Sequence, residues 1–174
     1  MSAGADAVSP RRVLAPVGAR TRRVVGVVAL LVACDQVTKA WAASALADGP
    51  KYVIGHSIGF ELTRNSGSAF SRFQGYTPIL AVGAVIVTVF LVRTVRRVHD
   101  AWTVVGLALV LSGALGNLCD RIFRSPGFMR GEVVDFVKLG PWPLFNVADS
   151  CLTIGAVVLA VRMLFAPTSD ADEH

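Results

Sequence analysis

The sequence predicts an all-α membrane protein, a bundle of four transmembrane helices that carries a small extracytoplasmic β-sheet and has both termini in the cytoplasm. Three observations predict this fold class. Of the 174 residues, 53% are hydrophobic and only 17% are charged, whereas an average soluble domain has about 25% charged residues. Four stretches are long and apolar enough to cross a bilayer. One segment between the first two stretches alternates as a half-exposed strand does.

The four predicted spans differ in how much charge they contain. A membrane helix needs about 20 mostly apolar residues, and the spans are predicted at about residues 24–46, 73–92, 101–120 and 145–165. The second and third contain almost no charge. The first is interrupted by Asp35 and Lys39, and the fourth by Asp149 and Arg162.

Basic residues in the short flanks predict the orientation of the bundle, because cytoplasmic loops carry an excess of Lys and Arg. Such residues precede the first span and separate the second from the third: Arg11, Arg12, Arg20, Arg22, Arg23, Arg93, Arg96 and Arg97. Both flanks are therefore predicted to be cytoplasmic, and so are both termini. We expect a four-helix domain at 23–166, with disordered segments at 1–22 and 167–174.

The outer segment Ile58–Asn65 has the period of a β-strand. Ile58, Phe60 and Leu62 alternate with more polar residues, which predicts a strand with one solvent-exposed face. A turn is predicted at 65–68. A small sheet here would offer an edge to which an extended peptide could add a strand.

Charged side chains at membrane depth are costly, and each is a functional hypothesis that needs a partner. Asp35 and Lys39 lie four residues apart and so share one helix face. They are interpreted either as a buried pair that fixes helix packing or as part of a site. Asp120 and Asp149 lie at the outer ends of their spans, so all four charges are predicted to lie at one level.

Two further observations concern the carboxylates near the last span. Asn146 is a good helix N-cap, and Asp149 would then be the third helical residue, so capping could explain it. A cap needs only Asn146, however, and the extra carboxylate indicates chemistry. Asp135 lies in the apolar string Val133–Val137. Such an acid either points to water from an edge strand or is used in a reaction.

Three kinds of hydrolytic site can be compared with these residues. Zinc hydrolysis is disfavoured, because His56, His99 and His174 are scattered and no HExxH or CxxC spacing exists. A Ser–Lys pair using Lys39 lacks a recognisable nucleophile turn. Two carboxylates that share a proton remain, one of them activating water and the other bonding the substrate carbonyl. We therefore expect no metal and no cofactor, and scattered basic residues argue against nucleic acid as a partner.

Five motifs resemble those of the lipoprotein signal peptidases, the type II signal peptidases of bacteria. They are Asp35-Gln36-Val37-Thr38-Lys39 (similar to DxxTK), Asn65-Ser66-Gly67-Ser68-Ala69-Phe70-Ser71 (similar to N-x-G-x-A-F-S), 113–121 (similar to GxxGNxxDR), 133–136 (VVDF) and 145–150 (FNxADS). They occur in family order and cover about residues 24–165. Ser68 departs from the pattern, since an alanine is common there, and the link 121–132 is longer than in the shortest members.

The resemblance implies an aspartic endopeptidase of the bacterial cell membrane that removes the signal peptide of a prolipoprotein just before its diacylglyceryl-modified cysteine. It implies Asp135 and Asp149 as the catalytic pair, with the active site toward the extracytoplasmic leaflet. Asp120 would pair with Arg121. The implied supporting residues are Asp35, Lys39, Asn65, Gly67, Asn117, Asp120, Arg121 and Asn146. Expected partners are lipidated prolipoproteins and membrane lipid, and the chain is expected to act as a monomer. A negative charge is expected more often on Asp149, leaving the proton on Asp135.

Two alternatives remain open at this stage. The stretch from Arg20 to Cys34 has the basic, apolar and small-residue pattern of a lipoprotein signal, so the chain could itself be lipidated at Cys34. The membrane-level charges could also form the relay of a small proton-coupled carrier. The first predicts an N-terminus at Cys34, and the second predicts charges on both sides of the membrane, whereas all except Arg162 lie toward the outer face.

Overall fold

The computed structural model describes residues 18–67 and 77–165. It contains four helices that are long and apolar enough to cross a membrane: α1 Ala19–Ala45, α2 Thr77–Arg97, α3 Ala101–Phe123 and α4 Val147–Leu164. The prediction of four spans is confirmed. The segments 1–17 and 166–174, which include most of the two predicted disordered regions, lie outside the described residues.

Three helix ends lie beyond the predicted spans. Helix α1 begins at Ala19, inside the segment predicted to be disordered, α2 ends at Arg97 instead of residue 92, and α3 ends at Phe123 instead of residue 120. Residues 73–76 of the second predicted span lie outside the described residues. The last turn of α2 contains Arg96 and Arg97. Basic side chains are favourable at a helix C-terminus and can extend toward the membrane surface, so apolarity alone placed this end too early.

Helix α3 is the most buried helix, and glycines let it approach α4 closely. An added Cβ at Gly113 would lie 2.4 Å from the carbonyl oxygen of Ala148, and one at Gly155 would lie 2.8 Å from that of Gly106. Small residues at such contacts allow two membrane helices to pack backbone to backbone. The N-terminal turns of α4 are thereby fixed beside the C-terminal half of α3.

The three strands form one antiparallel sheet in the order β1-β2-β3. Strand β1 is Lys51–Ile54, β2 is Ile58–Asn65 and β3 is Val133–Leu139. The bounds of β2 confirm the strand predicted from its alternation. The register pairs Thr63 with Asp135 and Asn65 with Val133, which brings the end of β2 beside the start of β3.

The sheet packs on the C-terminal end of α1. Ala42 of α1 and Leu46, the C-cap of α1, form a buried cluster with Val134 and Phe136 of β3. The ring of Trp41 meets the Phe136 ring edge-on, with centroids 6.2 Å apart. This contact fixes the height of β3, and hence of Asp135, relative to the helices.

Candidate active site

A buried lysine lies between two buried carboxylates, toward the C-terminal ends of α1 and α3. The Nζ atom of Lys39 is 2.8 Å from an oxygen of Asp35 and 2.8 Å from an oxygen of Asp120, and none of the three side chains is more than 1% exposed. The i,i+4 spacing in α1 therefore makes the predicted pair, and α3 adds a second acid. A charge buried without a partner is strongly destabilising, so this cluster fixes α1 against α3.

The predicted pairing of Asp120 with Arg121 is wrong. Asp120 accepts from Arg124 at 2.6 Å and from Lys39 at 2.8 Å. Consecutive helical residues point about 100° apart, whereas residues four apart share a face, so Arg124 rather than Arg121 faces the carboxylate. Asp120 also accepts from the backbone N–H of Val134 at 3.2 Å, which ties α3 to β3.

Two residues of this network were not singled out from the sequence. Gln36 donates to the carboxylates of Asp35 and Asp120 and to the Gly116 carbonyl, at 3.0 to 3.2 Å. Arg124 is the other. The i,i+4 spacing from Asp120 to Arg124 was a usable signal, but nothing in the sequence distinguished Gln36 from any polar residue on that helix face.

Asp35 also connects the first helix to the last. Its second oxygen accepts the backbone N–H of Ala148, the second residue of α4, at 2.9 Å. The first N–H groups of a helix have no partner within the helix, so the carboxylate satisfies one of them. An added Cβ at Gly116 would lie 2.7 Å from this carboxylate, so any side chain at this position would clash with Asp35.

Asn117 links the lysine cluster to Asp149. Its side-chain oxygen accepts from Lys39 Nζ at 3.0 Å, and its Nδ2 donates to Asp149 at 2.8 Å. The lysine fixes which end of the amide faces Asp149, because an ammonium group can only donate. One Asp149 oxygen is thereby oriented by a side chain that is itself fixed in position.

Asn146 touches both of the predicted catalytic carboxylates. Its Nδ2 donates to Asp135 at 2.7 Å, while its backbone N–H donates to Asp149 at 3.3 Å. Its side-chain oxygen accepts the Asp149 backbone N–H at 2.8 Å, so the two residues form a reciprocal capping box at the start of α4. The capping role considered for Asp149 is therefore present, but it uses one of its two oxygens.

Asp135 is buried in the middle of β3, where it is 2% exposed. It does not point to water, although β3 is an edge strand of the sheet. Asn65 donates to its second oxygen at 3.0 Å. Burial raises the pKa of Asp135 and the nearby charge of Asp149 adds to the rise, while the hydrogen bonds from Asn65 and Asn146 oppose it.

Gly67 and Arg121 form the side of the site next to the end of β2. Gly67 has a φ of 87° and donates its N–H to the Asn65 side chain at 2.8 Å. An added Cβ at Gly67 would lie 3.2 Å from the Arg121 guanidinium. Arg121 Nη1 is buried and has no hydrogen-bond partner among the described residues. Among the predicted supporting residues, this arginine therefore has a buried side-chain nitrogen for which the described residues provide no acceptor.

An apolar groove of about 490 Å³ opens beside Asp149. Its walls come from the end of β3, the connection to α4 and the first turns of α4, and include Leu139, Trp142, Phe145 and Ile154. The groove therefore places an apolar surface next to Asp149, one of the two predicted catalytic carboxylates. It is the kind of space in which a largely apolar ligand can place one polar bond beside an acid.

Comparison with known proteins agrees with this arrangement. Residues 27–165 match the family described as "Signal peptidase (SPase) II". The chain belongs to the signal peptidase II family. Signal peptidase II enzymes are peptidases and multi-pass membrane proteins, so the predicted enzyme class and membrane location are confirmed. The carrier alternative is not supported.

Relatives named lipoprotein signal peptidases, and a solved bacterial membrane enzyme, cover most of the chain. A lipoprotein signal peptidase of Mycobacterium avium is 46% identical over 147 residues, which is 84% of this chain and 81% of the relative. One of Rhodococcus jostii is 45% identical over 157 residues, covering 89% and 79%. A structure titled "Bacterial membrane enzyme structure by the in meso method at 2.3 A resolution" is 28% identical, with a TM-score of 0.73, covering 88% of this chain and 94% of that one.

Proposed function

We propose that this protein is an aspartic endopeptidase in which Asp135 and Asp149 form the catalytic carboxylate pair, and that it removes signal peptides from prolipoproteins just before the diacylglyceryl-modified cysteine. The observation that carries the proposal is the position of Asn146, which donates to both carboxylates from one residue. Relatives named lipoprotein signal peptidases support the substrate class.

The environments of the two carboxylates support a division of roles. The pKa of Asp135 is raised by its burial, so this group keeps the shared proton and bonds the carbonyl oxygen of the substrate. Asp149 lies at the N-terminus of α4, where a negative charge is favourable. It takes the proton from a water molecule as that water attacks the carbonyl carbon. These roles describe the singly protonated state of the pair.

The groove and Arg121 support the way in which a substrate is placed. The apolar walls beside Asp149 suit acyl chains and apolar side chains. We assign Arg121 to a carbonyl oxygen of the substrate backbone, since its Nη1 has no partner among the residues described. Asp35, Lys39, Asn117 and Asp120 position the pair without touching the substrate.

The chain is proposed to act as a monomer, because Asn65, Asn117 and Asn146 of the same chain orient both carboxylates and the site needs no second copy. We propose that it is not itself processed at Cys34, since cleavage there would leave Asp35, which accepts an N–H of α4, one residue from a free chain end. Removal of the preceding part of α1 would also remove Val28 from the core.

The site is proposed to face the extracytoplasmic leaflet, with the N-terminus of α1 and the α2–α3 connection in the cytoplasm. The arginines at that end support this orientation. We predict that a cysteine replacing Ser57, in the β1–β2 turn, reacts with a membrane-impermeant maleimide in intact cells, and that one replacing His99, in the α2–α3 connection, reacts only after permeabilisation. Labelling of the wild-type protein measures the background reaction of Cys34, Cys119 and Cys151. The reverse labelling pattern would place the site in the cytoplasmic leaflet.

The decisive test is cleavage of a purified lipidated prolipoprotein by Asp135→Asn and Asp149→Asn variants. Both are predicted to lose at least about 1,000-fold in kcat/KM, because each removes one half of the acid–base pair. Asp48→Asn is the matched control, since Asp48 is an exposed acid beyond the outer end of α1. Thermal unfolding in detergent separates lost chemistry from lost folding. Wild-type cleavage by either variant would exclude the aspartic mechanism.

A further inference from the structure

A second groove lies on the other side of the bundle, away from the carboxylate pair. It has a volume of about 410 Å³ and is formed by α1, α2 and α3. Its α1 wall repeats every four residues through Val24, Val28 and Val32, and Leu111 and Leu115 of α3 form the opposite wall. Val28 and Leu111 also belong to a buried cluster that includes Leu91. Packed side chains of the helix interface therefore bound the groove, and it does not arise from a frayed helix end.

The dimensions of this groove match one leaflet of a bilayer. From Arg20 to Val32 the α1 wall rises through twelve residues, or roughly 18 Å at 1.5 Å per residue. The hydrocarbon core of a bilayer is about 30 Å thick, so one leaflet is about 15 Å deep. A single acyl chain that lies parallel to the helices can fill such a groove from the membrane surface to the bilayer centre.

Two arginines stand at the mouth of the groove. Arg20 of α1 and Arg96 of α2 both line it and are exposed. Arg20 donates to the carbonyl of Val98 and is thereby turned toward the end of α2. Among the residues described, the carboxylate at this end is Asp100, which pairs with Arg162 and with neither groove arginine. The mouth therefore carries two positive charges that no described acid neutralises.

From this geometry we propose that the groove binds an anionic phospholipid of the adjacent leaflet, with an acyl chain along α1 and the phosphate between Arg20 and Arg96. Charge decides between this occupant and a signal peptide. A signal peptide enters with a positively charged N-terminal region, which the two arginines would repel, whereas an anionic headgroup neutralises them. The lipid would stabilise the contact of α1 with α2 and α3.

The test is native mass spectrometry of the full-length protein released from nanodiscs that contain equal amounts of phosphatidylglycerol and phosphatidylcholine. We expect wild-type protein to retain one phosphatidylglycerol in preference to phosphatidylcholine. The double variant Arg20→Gln/Arg96→Gln should show about tenfold weaker retention, because two basic contacts to the anionic headgroup are lost. Arg22→Gln/Arg93→Gln is the matched control, since it removes the same charge from exposed arginines that do not line the groove, and it should retain the lipid.

A steric variant tests the apolar part of the site. Ala29 lines the groove and is exposed, so Ala29→Phe should lower lipid retention without a change of charge. Equal losses in the two arginine pairs, or no preference for phosphatidylglycerol in the wild type, would overturn the proposal. A lipid that binds only after deletion of residues 167–174 would also overturn it, since the acidic tail would then be the occupant.

Discussion

At the residue scale, Asn146 makes a contact that capping of a helix does not require. A cap requires an oxygen that accepts an N–H of the first turn, and the Asn146 oxygen does this for Asp149. Its Nδ2 group is free for a second task and donates to Asp135 at 2.7 Å. One side chain therefore both starts α4 and fixes the position of the acid on β3.

Asn146→Ser separates these two tasks. Serine is also a good N-cap, so the start of α4 should be kept, and the loss of unfolding free energy should be about 1 kcal/mol smaller than in a variant that also loses the cap. Serine lacks the amide donor to Asp135, and we expect kcat/KM for a lipidated prolipoprotein to fall about 100-fold, as it does when a reacting group is misplaced by about 1 Å.

Asn146→Ala is the comparison variant for this prediction. It loses the cap as well and should be less stable by about 1 kcal/mol. Cleavage assays and thermal unfolding in detergent measure both effects. If the serine variant cleaves as fast as wild type, Asn146 serves only as a cap.

The sequence was sufficient to name the candidate catalytic residues but not their partners. Asp135 and Asp149 stood out because isolated acids in apolar strings are costly. The partner of Asp120 was predicted wrongly because adjacency in sequence is a poor guide to adjacency on a helix. Gln36 could not be found, since its three acceptors come from both α1 and α3.

At the scale of elements, the contact of α3 with α4 decides where Asp149 lies relative to Asn117. Gly113 lies against the first turns of α4, where an added Cβ would be 2.4 Å from a backbone oxygen and 2.6 Å from Leu152 Cγ. Backbone cannot move aside as a flexible side chain can. The two helices would have to separate to admit even a methyl group.

Gly113→Ala is predicted to destabilise the protein by about 1 to 3 kcal/mol, because overpacking outweighs the better helix propensity of alanine. Thermal unfolding in detergent measures this loss, and kcat should fall as Asn117 moves away from Asp149. Gly83→Ala is the matched control, since a Cβ at Gly83 in α2 meets nothing within 4 Å. A Gly113 variant as stable as the Gly83 variant would contradict the close packing of α3 on α4.

Element types were predictable, while element ends were less so. Hydropathy determined the four helices, and alternation determined β2, because each depends on which environment a residue faces. The end of α2 was missed by five residues, since Arg93, Arg96 and Arg97 lie in helical turns that a hydropathy window excludes.

At the scale of the whole molecule, an ion pair fastens the end of the bundle opposite the carboxylate pair. Asp100, the N-cap of α3, accepts from Arg162 near the end of α4 at 3.1 and 3.2 Å. Hydrogen bonds from Arg162 and Thr103 hold the pKa of Asp100 well below its usual range. The pair lies partly exposed, so salt should weaken it.

Asp100→Asn keeps an N-cap but removes the charge, and it is predicted to lower the Tm at pH 7. A carboxyl whose pKa is lowered in the folded state stabilises that state above the pKa of the unfolded chain, about 3.9. The stabilisation is lost as the pH falls through the lower, folded value. The difference in Tm between wild type and variant should therefore be full at pH 5 to 7 and shrink below about pH 4. A difference that persists unchanged at pH 2 would show that the charge is not responsible.

The sequence by itself determined the membrane class, the four spans, strand β2 and the candidate acids of the site, because each depends on a local balance between apolar surface and the cost of charge. Only the tertiary structure decided that Lys39 lies between Asp35 and Asp120, that Asn117 and Asn146 orient the two predicted catalytic acids, and that Arg121 keeps a donor without a described partner. These contacts join residues from separate helices and strands. Their partners are set by helix rotation and strand register, which depend on how all the elements pack together.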